Sequence, residues 1–275
     1  MRLLIFGYGY SARVIAARLA PHGWRIAATT RDGRDDTIRF DDAERVAFEA
    51  REATHILSSV PPGAEGDPVL NAYGDMLGRA RLSYLSSTGV YGDAGGGWVD
   101  ESAPIRGRRE GRNAADAAWL ARGARVFRLP GIYGPDRSPL ERVAAGEAHR
   151  TGIAGQVFSR IHVHDLAAGV VAGLDAPAGA YNLADDFPCA QDDVVTFAAR
   201  LLNLPPPPIV PIEALSPAAR AFHAENRRVA NGRARRVLNW RPVFADYRLG
   251  LRALNAMTSP VIASSAPMAA SADQR

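Results

Sequence analysis

Glycine at positions 7 and 9 and alanine at 12 keep the spacing Gly-x-Gly-x-x-(Gly/Ala), directly after the apolar run at 3–6 and at the start of a helical pattern over 11–19. A strand that feeds a tight turn and then a helix is the setting in which this spacing recognises a dinucleotide. The first glycine permits the turn, and the second lets the backbone approach a pyrophosphate. A small residue at 12 lets the helix close on the strand with its N-terminus toward the anion. The expected chemistry is nicotinamide dinucleotide binding at Gly7, Gly9, Tyr10, Ser11 and Ala12. The next strand, WRIAATTRDG, ends in Thr29, Thr30 and Arg31, where an acidic residue would hold a ribose 2′-OH. Arginine pairs with a 2′-phosphate that a carboxylate would repel, so NADP is the expected cofactor. NAD stays the alternative, because Asp32 follows directly and can reach a ribose.

Such residues need a sheet to hold them. Strand-like runs TIRF, THILSSV, RLSYLSS and ARVFRLP alternate with helical patterns over 42–51, 68–80 and 111–122. This alternation predicts an α/β fold with a Rossmann-type doubly wound parallel sheet. Ligands of such sheets lie at the carboxyl ends of the strands. Ser58, Ser59, Val60, Ser86, Ser87, Pro130, Gly131 and Ile132 therefore join Thr30 and Arg31 around the expected cofactor. Beyond Gly134 the regularity breaks, and 135–160, 179–192 and 203–257 are richer in proline and loops. The expected organisation is an NADP-binding core over 1–134, with returning elements from about 158–175 such as RIHVHDLAAGVVAGL. A smaller substrate-capping C-terminal lobe occupies 135–257, and a disordered tail 258–275. The prolines at 205–208 read as a stiff connector.

With 275 residues, 47% of them hydrophobic, the chain can bury one α/β core and a lobe. It shows neither eighteen successive apolar residues nor a charged leader with a cleavage site, so a cytoplasmic protein with no membrane partner is expected. All 33 basic residues are arginine. Without lysine there is no Schiff-base chemistry, no P-loop lysine and no lysine general base, whereas anion clamping by arginine remains open. Residues 220–252 hold nine arginines against Glu225 and Asp246. Within them NGRARRVLNWRP reads as a short helix capped by Asn231, with Val237, Leu238 and Trp240 packed and the arginines outward. With no nucleic-acid signature, nucleic acid is not an expected partner. The lone Cys189 excludes an intramolecular disulfide, and His162 and His164, alternating on a strand, do not complete a metal-ligand set. No metal is expected.

Four segments, FGYGYSA, YLSSTGVYGD at 84–93, RLPGIYGP at 128–135 and IHVHDLA at 161–167, together resemble the extended short-chain dehydrogenase/reductase superfamily of nucleotide-sugar epimerases and dehydratases. GGWVDE at 96–101, GQVFSRIHV at 155–163 and GRARRVLNWRPVFADYRLGL are most similar to its atypical YeeZ-like subgroup of NAD(P)-dependent epimerases. The resemblance implies that Ser87 orients a substrate carbonyl. It also implies a tyrosine acid/base, with a lysine four residues later and an acidic residue four further on. Asp116 fits the acidic position, which leaves Arg112 in the lysine position and Arg108 in the tyrosine position. A protonated arginine cannot shuttle the proton that a tyrosine exchanges, so Arg112 is left to hold the ribose and Arg108 to polarise an oxyanion. The remaining phenols are Tyr91, above the strand carrying Ser87, and Tyr133, in a stretch that in the superfamily packs near the nicotinamide. Arg137 and Arg160 flank these motifs and suit a phosphate, diphosphate or carboxylate of a small-molecule substrate. The implied activity is an epimerase, dehydratase or reductase on a sugar-like or anionic carbonyl substrate. The missing Tyr/Lys pair sets beside it a catalytically silent NADP-binding sensor or scaffold, and a homodimer is left open.

Overall fold

Apolar runs buried on both faces become the central strands of the computed structural model, which describes residues 1–258. In chain order the strands are β1 (Arg2–Phe6), β2 (Arg25–Thr30), β3 (Ile38–Arg39), β4 (His55–Ser58), β5 (Arg81–Ser87), β6 (Trp98–Val99), β7 (Arg125–Leu129), β8 (Gly131–Tyr133), β9 (Arg160–His162), β10 (Gly179–Asn182) and β11 (Arg228–Val229). The helices are α1 (Tyr10–Leu19), α2 (Ala43–Glu52), α3 (Pro68–Tyr73), α4 (Glu110–Ala121), α5 (Pro139–Ala144), α6 (Val163–Gly173), α7 (Gln191–Leu201), α8 (Pro217–His223), α9 (Gly232–Val237) and α10 (Tyr247–Thr258).

Seven strands form one parallel sheet in the order β10-β7-β5-β4-β1-β2-β3. From β1 the chain winds first toward β3 and then back past β4, so the order reverses between β1 and β4, where doubly wound sheets open a crevice. Ile15 of α1 and Leu166 of α6 pack with Phe127 and Tyr181 in one core. Val46 of α2, Val69 of α3 and Trp119 of α4 pack with Tyr84 in another. A third core joins α5, α7 and α10 through Leu140, Val195 and Leu251 and forms the heart of the C-terminal lobe. Two short parallel pairs, β8 with β9 and β6 with β11, lie beside the main sheet.

The observed chain departs from the sequence reading in places. The main sheet takes back residues 179–182 as β10, later than the expected 158–175, and β9 pairs with β8 outside it. The third helix stops at Tyr73, where a short tight turn over Gly74–Met76 follows. Asn231 does stand at the start of α9, but its amide donates to the Ala184 carbonyl (2.9 Å) and Asp186 (2.8 Å) and does not cap the helix. Val237 is exposed, and Ala234, Leu238 and Trp240 supply the packed side. The expected tail lies outside the described residues, apart from Thr258 at the end of α10.

Candidate functional site

The glycine turn is tied to strands on both sides. The Gly7 and Tyr8 amides donate to the Thr29 carbonyl at 3.2 and 3.0 Å, and the Ser59 hydroxyl donates to the Gly7 carbonyl. Gly7 has φ +84°, and a Cβ there would lie 2.9 Å from Val60 Cγ2 and 3.0 Å from Ser59 Oγ. The fold itself requires this glycine. At Gly9, φ is −89° and a Cβ would meet nothing within 4 Å. Nothing in the fold requires the second glycine, so the space beside it is open to an approaching ligand. Ala12 is fully buried, and α1 starts at this opening with no side-chain cap and no acid in its first turn.

At the end of β2 the buried Thr30 shapes the following loop, with its hydroxyl 2.7 Å from that of Thr37 and accepting from the Gly33 amide at 2.9 Å. Arg31 is exposed and has no ion-pair partner among the described residues, while Asp32 pairs with Arg34 at 3.7 Å. Ser11 is half-buried on α1. Tyr10 points away from the turn. Its hydroxyl donates to the Pro135 carbonyl at 2.8 Å, under the Arg137 guanidinium, and burial pushes its pKa up to about 12.

A cleft of about 210 Å³ opens beyond the carboxyl ends of β5 and β7, lined by Ser87, Pro130, Gly131, Phe158, Arg160 and Arg227 among others. The Ser87 hydroxyl accepts from the Gly89 amide at 3.1 Å, which leaves its own proton free to donate. Arg160 is 6% exposed. Its Nη1 donates to the Phe158 carbonyl (2.9 Å) and the Cys189 carbonyl (3.2 Å), and its Nη2 donates to Gln191 Oε1 (2.9 Å). No carboxylate lies within ion-pair distance of it among the described residues. Gly131, Arg160 and Gln191 also face a second cavity of about 390 Å³ that contains Ile132, Arg137 and Arg142. At the rim of the first cleft Glu225 joins Arg108 (2.9 Å) to Arg227 (2.7 Å). Arg108 is thereby held at the mouth by an ion pair, while Arg112 lies half-buried in the first turn of α4.

Several expected contacts do not form. The Tyr91 hydroxyl is buried, donating to Asn182 Oδ1 (2.7 Å) and accepting from Arg128 Nη1 (3.1 Å). Arg128 in turn forks onto Asp116 (2.7 and 3.1 Å), which also accepts from Ser86 Oγ at 2.6 Å. Tyr91 and Ser86 thus belong to a sealed network, not to a substrate or cofactor contact. Tyr133 is buried too, because α10 closes over it so tightly that no Cβ would fit between Gly250 and its hydroxyl. Burial raises the pKa of both phenols, and neither presents a proton to the cleft. Ser58 is fully buried at the end of β4, so its hydroxyl is shut away from any ligand.

The two histidines do not share a strand face. His162 ends β9, its Nδ1 accepts from the His164 amide at 3.3 Å, and burial lowers its pKa to about 4, whereas His164 is exposed. Asp165 is buried and binds the amides of Val243 and Phe244, both at 2.9 Å. Cys189 is buried and its thiol pushed up to about 11, as suits an inert packing residue. Sequence reasoning missed Phe158, Gln191, Phe222, Glu225 and Arg227. One signal was available: Phe158 stands two residues before Arg160, the spacing that puts side chains on one side of an extended chain.

The strand order and the glycine turn define a Rossmann-type protein, with a fold shared by solved epimerase and dehydratase structures. The chain belongs to one family with a functionally unknown conserved protein from Silicibacter pomeroyi DSS, which is 40% identical and superposes with TM-score 0.85 over 93% of this chain and 98% of that one. The human epimerase family protein SDR39U1 with NADPH shares the fold, at 17% identity and TM-score 0.72 over 93% of this chain and 98% of that one. A 3-diazoavenalumate denitrifying reductase of a Streptomyces species is 27% identical over 89% of this chain and 91% of its own length. Protein YeeZ of Escherichia coli K12 is 27% identical over 75% of this chain and 85% of its own. No family model matches the chain.

Proposed function

We propose that this chain is an NADP(H)-dependent oxidoreductase of the YeeZ-like branch, acting as a reductase on a small anionic substrate. One observation carries the reading: Ser87, Gly131 and Arg160 line a single cleft at the carboxyl ends of the strands, on the sheet edge that also holds the glycine turn. The open space at Gly9 fits a dinucleotide, since a pyrophosphate needs an unobstructed approach to backbone amides at an uncapped helix start. In this reading the turn from Gly7 to Ala12 holds the pyrophosphate, Arg31 the 2′-phosphate and Arg112 a ribose. The nicotinamide supplies or accepts hydride when bound. Ser87 donates its free proton to the reacting oxygen or nitrogen and orients it. Arg160 holds the substrate's anionic group through the N–H directions its protein partners leave unused. With both phenols enclosed, water in the open cleft exchanges the remaining proton.

The likeness to a denitrifying reductase supports a reductase, and the human epimerase family structure with NADPH supports the choice of cofactor. No helix of the described residues is long and apolar enough to cross a membrane. Within residues 220–252 several arginines are committed to Glu225, Asp186 and the Tyr181 ring, which supports a small-molecule ligand over nucleic acid. The enclosed phenols favour one rival, the catalytically silent sensor. NADPH oxidation, followed by absorbance over a panel of carbonyl, aryl and sugar-nucleotide compounds, separates the two. Turnover on a panel member is expected, and Ser87→Ala should lower kcat by roughly 10²-fold with NADP affinity unchanged. Turnover insensitive to Ser87→Ala would overturn the role of this serine, and tight NADPH binding with no turnover would favour the sensor.

A further inference from the structure

The walls of the Ser87 cleft differ in kind. One is aromatic: the rings of Phe158 and Phe222 stack at 4.6 Å with planes 10° apart, and His223 meets both edge-on at 5.7 and 5.6 Å. Both phenyl rings line the cleft, yet Phe222 is 53% exposed, so α8 holds a large apolar ring in place without covering it. The other wall is Arg160, a buried guanidinium without a carboxylate in ion-pair distance among the described residues. A buried charge without a counter-charge is costly, and its cost falls when a ligand anion arrives. The protein acceptors, Cys189 Sγ among them, hold this guanidinium through both Nη atoms, and its Nε has no protein acceptor among the described residues. Asp185, a buried carboxyl on which the Arg160 charge acts, makes no ion pair with it, and burial raises its pKa to about 8.

Size narrows the ligand further. A cavity of about 150 Å³ takes one benzene ring, so a cleft of about 210 Å³ holds a ring with a short acidic arm. Of the two arginines lining this cleft, Arg227 is paired with Glu225 and Arg160 has no paired carboxylate among the described residues, while Arg137 and Arg142 lie in the adjoining cavity. From these walls and this volume, and resting on the reductase reading above, we infer that the substrate is a small planar aromatic acid. Its ring lies on the Phe158–Phe222 stack, its carboxylate on Arg160, and its reacting atom toward Ser87.

Calorimetric titration of the full chain, with and without saturating NADP⁺, tests the inference using four probes. Cinnamate has the ring and the charge, cyclohexanepropionate the charge without a planar ring, cinnamyl alcohol the ring without the charge, and UDP-glucose the nucleotide sugar. Cinnamate should bind at least tenfold more tightly than the other three. Phe222→Ala, at an exposed position that leaves folding intact by circular dichroism, should abolish the preference over cyclohexanepropionate. Arg160→Lys should keep part of the preference over cinnamyl alcohol, and Arg160→Gln should remove it. Tighter binding of UDP-glucose, absence of cinnamate binding, or cinnamate affinity unmoved by Phe222→Ala would each overturn the proposal. Failure to bind NADP⁺ would instead sink the cofactor reading, and cinnamate binding without NADP⁺ would still support the cleft assignment.

Discussion

Arg31 shows how much one side chain can decide. It is exposed at the end of β2 without an ion-pair partner, and the acidic Asp32 beside it is turned to Arg34. A charge-assisted bond to a 2′-phosphate is worth about 1.5–3 kcal/mol, so Arg31→Ala should weaken NADP⁺ binding roughly ten- to a hundredfold and leave NAD⁺ binding nearly unchanged. Calorimetry with both cofactors measures this, and equal affinities in the parent protein would refute the assignment. Residues of this kind were legible in the sequence because their position relative to a strand end settles their exposure. The phenols were not. Tyr91 and Tyr133 stand in motifs close to the site, but whether a hydroxyl faces a cleft or a core depends on what packs against it. Here that is Asn182 with Arg128 in one case and Gly250 of α10 in the other, both distant in sequence. Phe222 and Arg227 were missed for the same reason, since a lobe segment without a motif enters the cleft only through tertiary folding.

Among the elements, the turn between β1 and α1 carries the clearest division between fold and function. Gly7 is required by its positive φ and by Val60, whereas Gly9 has ordinary dihedrals and open space around it. Gly9→Val should therefore give a protein with unchanged circular dichroism and a melting temperature within a few degrees of the parent, but with cofactor binding reduced beyond detection. Undiminished binding would place the pyrophosphate elsewhere. Strands β1, β4, β5 and β7 of the main sheet were readable because each lies in a mainly apolar run next to a helical pattern. The last strand was not, because GAYN is four residues long and sits between loops, and only its pairing with β7 makes it part of the sheet. The helix carrying Arg112 is held to that sheet by charge as well as packing. Asp116 binds Ser86 of β5 and Arg128 of β7 at once, which sets α4 in register with the strand that ends at Ser87.

On the scale of the whole molecule, sheet and lobe meet where the Asp185 amide donates to the Arg160 carbonyl at 2.7 Å. Burial there raises the Asp185 pKa to about 8, opposed by the positive charge of Arg160, and lowers that of nearby His162 to about 4. Between about pH 4 and 8 the folded chain keeps a proton on Asp185 that the unfolded chain has released, so stability falls as pH rises through this window. His162 has the opposite sign: below pH 6.5 the unfolded chain binds a proton that the folded chain refuses until about pH 4, so stability falls as pH drops. The two slopes offset each other from about pH 4 to 6.5, and above 6.5 the Asp185 contribution stands alone of the pair. One proton per molecule corresponds to about 1.4 kcal/mol per pH unit, and with Asp185 half ionised at pH 8 its titration should cost about 1.5 kcal/mol between pH 6.5 and 8. Asp185→Asn keeps an oxygen to accept from the Phe187 amide and removes the titration. Denaturant unfolding at pH 6.5, 7.2 and 8 should show the parent losing stability relative to this variant as pH rises. Parallel pH profiles for parent and variant would mean that Asp185 is already ionised at the joint. Its carboxylate would then neutralise Arg160, and the cleft would lose its unpaired cation.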